Sequence, residues 1–174
     1  MNLILCGMMG VGKTTVGIKI EEKDCWRWID TDALIVEKYG EISQIFAQYG
    51  EKYFRDLETE LVKSLANEDG LVISVGGGLV LKEENCALLK GNGKIVFLRA
   101  ALSTLVQRLR LDTARPLLQT GQSTQERIAE LLEVRTPIYE RVADWVVDVD
   151  GKTPDEIATE ILSLVKKEKG GEEK

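Results

Sequence analysis

The stretch Gly7-Met8-Met9-Gly10-Val11-Gly12-Lys13-Thr14 has residue types and spacing suited to holding phosphates. It fits the pattern G-x-x-x-x-G-K-[ST] at every fixed position. The glycines allow φ > 0, so successive backbone N–H groups can turn inward around phosphate oxygens. Lys13 can reach the β and γ phosphates, and the Thr14 hydroxyl suits Mg²⁺. A helix expected after the loop would add its positive N-terminus. Gly10, Val11, Gly12, Lys13, Thr14 and Thr15 are therefore the expected contacts of a nucleoside triphosphate. The loop alone does not separate a kinase from a hydrolytic switch.

Five further groups could act beside it. Asp30 and Asp32 in "WIDTD" close an apolar run, and strand ends are where open α/β sheets bind ligands. One carboxylate could serve Mg²⁺ or its water and the other a substrate hydroxyl, or an Asp could simply cap a helix. Arg55 and Glu58 are three apart on one helix face, as a surface ion pair or as an arginine held in one rotamer and aimed at a carboxylate. Gly76-Gly77-Gly78 leaves bare backbone at a strand end, where a ligand could approach N–H groups. Arg115 lies in "RLDTARPLLQTGQST", residues 110–124, a polar stretch without a clean period that reads as a mobile lid. Arg135 lies in "RTPIY", near a proline within a helical pattern.

The elements that must position these residues follow from periodicity. Strand-length apolar runs occur at Leu3–Cys6, Trp26–Ile29, Leu71–Val75, Ile95–Leu98 and Trp145–Val149. Segments of helical period lie between them, which predicts a mostly parallel sheet covered on both faces, with strands buried on both sides. Thr153-Pro154 predicts a helix start, with Asp155 and Glu156 at its positive end, and Gly40 and Gly70 are placed to stop helices. Trp26 and Trp28 read as core or helix-packing residues. Residues 1–168 read as one domain and 169–174 as a frayed tail.

Bulk properties narrow the function. The 174 residues carry a net charge of −6, which argues against general binding to nucleic acid or an anionic membrane, so an anionic ligand must be held by local arginines. No apolar run approaches the roughly 20 residues of a membrane span, and nothing at the start resembles a secretory leader. Cys6, Cys25 and Cys86 have no metal-type spacing and read as reduced, buried thiols of a cytoplasmic protein. There are 0 histidines, so a general base must be another residue, most plausibly a carboxylate.

The ordered set GMMGVGKTT, DTD, GEKYFR..E, VGGG, ARPLL, RTPIY and VDVDGKTP closely resembles the shikimate kinases, from about Leu3 to Leu164. The resemblance implies an α/β fold: three α/β/α layers, a five-stranded parallel sheet in the order 2-3-1-4-5, and a P-loop kinase. It implies transfer of the γ-phosphoryl of ATP to the 3-hydroxyl of shikimate, with Mg²⁺ as cofactor. Lys13 and Thr14 would serve the phosphates and Mg²⁺, and Asp30 the metal through water. Asp32 would hydrogen-bond the shikimate hydroxyls as candidate base. Arg55 and Arg135 would grip the carboxylate, with backbone contacts from Gly76, Gly77 and Gly78. Arg115 would touch the transferring phosphate. Arg110, with Arg108 as its rival, and the Asp150–Pro154 loop with Thr153 and Pro154 would flank the adenine. A monomer is expected. The alternatives are a sister metabolite kinase, such as a gluconate kinase, and a nucleotide-dependent switch; no guanine-recognition motif supports the latter.

Overall fold

The structure is a computed structural model and describes residues 1–110 and 124–171. Strand β1 (Asn2–Cys6) feeds the glycine loop and then helix α1 (Lys13–Lys23). Strand β2 (Arg27–Asp30) runs directly into α2 (Thr31–Tyr39), followed by α3 (Ile42–Leu65). Strand β3 (Leu71–Ser74) leads through the three glycines to a 3₁₀ turn (Leu79–Leu81) and α4 (Glu83–Gly91). Then come β4 (Gly93–Arg99), α5 (Leu102–Arg110), α6 (Thr124–Val142), β5 (Trp145–Asp148) and α7 (Pro154–Gly171).

All four strand pairings are parallel, in the order β2-β3-β1-β4-β5. This is the order the resemblance implied. Helices α1 and α7 pack together on one face, and the α3–α4 and α5–α6 pairs cover the other. The strand ends after β1, β2 and β3 are neighbours, so the glycine loop, the Asp30–Asp32 corner and Gly76–Gly78 converge at one edge of the sheet.

Burial departs from the expectation at the edges. β1 and β3 are fully buried, but β2 is exposed or half-buried along its length and β5 alternates. Each edge strand has a partner on one side only, so its apolar run is covered less than its composition suggests. Among the described residues no helix is long and apolar enough to cross a membrane.

Local signals held in most places. Glu156 accepts from the Thr153 N–H and hydroxyl at 2.7 and 2.8 Å, while its own N–H donates to Thr153 Oγ1, which makes a capping box for α7. Gly40 ends α2 at φ 90°, its N–H on Val36 O. Gly70 does not end a helix, because α3 stops at Leu65; it turns the chain into β3, and its carbonyl accepts from Arg27 N. Helix α3 passes through a kink at Gly50. Its φ of 83° requires glycine on conformational grounds, since nothing lies within 4 Å of a Cβ built there. The kink bends α3 around a small second core of Ile35, Ile45, Phe54 and Leu57, which sets the helix that carries Arg55.

Cys6 and Cys86 are buried as expected, whereas Cys25 is exposed, on the turn before β2 where no layer covers it. Burial pushes the Cys6 thiol up to about 12, which leaves it inert. Trp28 does pack a helix: its Cδ1 would lie 2.2 Å from a Cβ built at Gly17 of α1, and its Nε1 donates to Ser74 Oγ at 3.0 Å. Gly17→Ala is therefore expected to destabilise the fold by roughly 1–3 kcal/mol through overpacking. A shift of the urea midpoint at unchanged slope checks this; an unchanged midpoint would show that the indole moves aside freely.

Candidate active site

The glycine loop has positive φ at Gly7 (138°), Gly10 (77°) and Gly12 (104°). Gly12 is also the N-cap of α1, so the helix begins at Lys13 itself. Lys13 Nζ donates to the carbonyls of Gly7 and Met8 at 2.9 and 3.0 Å, which holds the ammonium over its own loop. On α5, Arg108 Nη1 donates to Val11 O at 2.8 Å and braces the loop from the other side.

The cap reading of Asp30 is realised, and its two oxygens have different partners. Oδ1 accepts from Asp32 N and Ala33 N, the N-cap of α2. Oδ2 accepts from Thr14 Oγ1 at 3.3 Å. A hydroxyl and a carboxylate at the phosphate edge form an oxygen donor set of the kind Mg²⁺ takes.

The three glycines are needed for space rather than for φ, which is not positive at any of them. A Cβ at Gly76 would lie 2.6 Å from Asp32 Oδ1 and 3.3 Å from Glu58 Oε1. At Gly77 it would lie 3.0 Å from Arg135 Nη1, and at Gly78 2.4 Å from Arg55 Nη1. The bare strand end lets an aspartate of α2, an arginine of α3 and an arginine of α6 close in on one spot. The Gly76 N–H donates to Thr31 Oγ1 at 3.1 Å and ties the glycines to the D-T-D corner.

The Arg55–Glu58 pair is no surface ion pair. Glu58 is only 1% exposed, and its Oε2 accepts from Arg55 Nη1 at 2.8 Å. Glu51 accepts from the same guanidinium at 3.0 Å. Arg55 is thus fixed by two carboxylates, with Phe54 beneath it. Glu58 Oε1 is buried and has no hydrogen-bond partner among the described residues. Burial pushes the Glu58 carboxyl up to about 7 against the opposing hydrogen bond and charge of Arg55, and the Asp32 carboxylate adds to the rise.

A cavity of about 590 Å³ gathers these parts. Its walls include Gly10 to Thr15, Asp30, Asp32, Arg55, Gly76, Gly77, Gly78, Arg135 and Pro154, so the expected phosphate-side and acceptor-side residues share one space. Thr153 stays behind the wall and caps α7. Arg115, the lid and the Arg110 side chain lie outside the described residues. Lys152 of the Asp150–Pro154 loop lines the cavity as well, and the walls also include residues that the sequence did not single out as lining, among them Phe46 and Phe54. Phe46 and Phe54 carried a helical apolar pattern, which reads as core. Arg108, the rival to Arg110, lines the cavity.

A parallel sheet with a phosphate loop at its switch point and an arginine-lined pocket beside that loop defines a P-loop kinase of a small anionic acceptor. Comparisons with known proteins make this specific. The sequence matches the family described as shikimate kinase over residues 9–166. It is 44% identical over 162 residues to a shikimate kinase of Thermodesulfovibrio yellowstonii, covering 92% of each chain. It is 43% identical over 167 residues to one of Sulfurihydrogenibium sp., covering 95% of this chain and 98% of the other. Its fold matches the shikimate kinase from Acinetobacter baumannii in complex with shikimate, with a TM-score of 0.89 and 34% identity over 97% of this chain and 94% of that one. The chain belongs to the shikimate kinase family.

Glu58 gives a pH test. Its carboxyl is raised in the folded state from an ordinary value of 4.5 to about 7, so folding takes up a proton between those values and stability falls as pH rises through the window. Glu58→Gln removes this dependence. Thermal midpoints of the variant should gain on the parent from pH 4.5 to 7, by at most about 1.4 kcal/mol per pH unit. Parallel curves would mean that Glu58 does not titrate there.

Proposed function

We propose that the site moves the γ-phosphoryl group of ATP to the 3-hydroxyl of shikimate, with Lys13, Asp32 and Arg115 at the reacting atoms. The observation that carries this reading is the single cavity joining the phosphate loop to Asp32, Arg55 and Arg135. Arg55 and Arg135 suit planar, bidentate recognition of a carboxylate. Gly76, Gly77 and Gly78 offer backbone to the ring. Asp32 orients the hydroxyl and accepts its proton as the acceptor oxygen bonds to the γ-phosphorus and the bond to the β-phosphate oxygen breaks, releasing ADP. Lys13 and the loop N–H groups offset the charge on the transferring group, and Arg115 adds its charge from the lid.

Thr14 and, through water, Asp30 would hold Mg²⁺, which supplies charge neutralisation when bound. At the nucleotide end, Pro154 and Arg108 line the cavity and would flank adenine, with Arg110 the alternative to Arg108. Residues 110–124 would close over both substrates and limit wasteful hydrolysis. A monomer of one domain is proposed, and its last helix continues to Gly171, past the start of the tail expected at 169. Such an enzyme would work in the cytoplasm.

The test is ADP release with ATP and Mg²⁺ in the presence of shikimate, gluconate, AMP or no acceptor. Release only with shikimate is expected. Equal release without an acceptor would make the chain a nucleotidase or a switch, and a response to gluconate would place it with a sister kinase. Asp32→Asn should keep the thermal midpoint and abolish transfer. Persisting turnover in that variant would remove Asp32 from both positioning and proton transfer.

A further inference from the structure

Tyr139 follows Arg135 by four residues on α6, so the two share a helix face. Its side chain is fully buried, with the ring against Phe97 of β4 at 5.1 Å between centroids. The hydroxyl donates to Gly77 O at 2.6 Å. A Cβ built at Gly77 would lie 3.0 Å from Arg135 Nη1 and 3.5 Å from Tyr139 Oη, so guanidinium, phenol and glycine backbone meet around one point. Gly77 and Arg135 line the cavity, and Tyr139 stands behind them. A phenylalanine would fill the same hole against Phe97, so packing alone does not require the hydroxyl. Burial pushes the phenol up to about 12, with Arg135 opposing the rise by charge and hydrogen bonding. The hydroxyl therefore stays protonated at neutral pH, a fixed donor to Gly77 O beside the guanidinium.

We infer that Tyr139 is a positioning residue for the acceptor: its hydroxyl joins the Gly77 backbone and the Arg135 guanidinium into one unit and sets the grip on the acceptor carboxylate. The inference rests on the assignment of Arg135 to that carboxylate. A tyrosine that only packs would affect stability and both substrates alike, whereas a positioning tyrosine affects shikimate alone.

The experiment is steady-state kinetics on the full chain, with ATP, Mg²⁺ and shikimate, after Tyr139→Phe. The KM for shikimate should rise roughly 5- to 10-fold, while the KM for ATP stays within about twofold and kcat within about threefold. In an Arg135→Ala background, Tyr139→Phe should add less than about twofold, because the partner through which it acts is gone. An unchanged shikimate KM, an equal rise in both KM values, or a full effect in the Arg135→Ala background would each overturn the inference. Should Tyr139→Phe lose stability, the same kinetics are run below its thermal midpoint, where the shikimate KM should still rise; an unchanged value there would overturn the inference. Arg135→Ala with a normal shikimate KM would remove the assignment of Arg135 itself. A weakened Arg135→Ala beside a silent Tyr139→Phe would remove only the role of Tyr139.

Discussion

The site depends on a strand end without side chains. Asp32, Arg55 and Arg135 come from three different helices, and each occupies volume that a Cβ on Gly76, Gly78 or Gly77 would contest. A single methyl at Gly78 would sit 2.4 Å from a guanidinium nitrogen that is already held by Glu58 on one side and backed by Phe54. The glycines thus set how closely charge can be concentrated. In a chain of net charge −6, two arginines meet beside the phosphate loop only because the backbone there is thin.

Around that spot several polar groups are held by a second one. Glu58 and Glu51 hold Arg55, Thr31 holds Gly76, and Asp30 both caps α2 and faces Thr14. Side chains locked in this way lose little further entropy when a ligand arrives, and preorganisation is the main service an enzyme gives to phosphoryl transfer. The small separate core under Gly50 carries the Arg55 helix as a unit distinct from the main core around β1.

What could be read from the sequence is what local chemistry encodes. The phosphate loop, the Asp30 corner and the capping box of α7 each lie within a few residues of chain, and their spacing specifies their geometry. The strand order came through resemblance, and the pairing bears it out. What could not be read depends on distant partners. Nothing near Glu58 in the chain shows that it is buried, and nothing near Gly76–Gly78 shows that protein side chains fill the space they leave. Gly70 resembles a helix stop, but α3 ends earlier, at Leu65, and the glycine turns the chain into β3 instead. The exposed Cys25 and the half-covered edge strands miss their expected burial for the same reason: coverage is decided by which layers meet, not by composition.

The Arg55–Glu58 pair also constrains the order in which such a site can change over generations. Losing the arginine first leaves Glu58, which is 1% exposed, without its charged partner, so the buried carboxyl must hold a proton and forgo that hydrogen bond. Losing Glu58 first leaves Arg55 with exposed Glu51, a milder state from which the arginine can then drift. A side chain at Gly78 requires the guanidinium to be displaced or lost. The path to a different acceptor therefore has a direction: carboxylate, then arginine, then glycine.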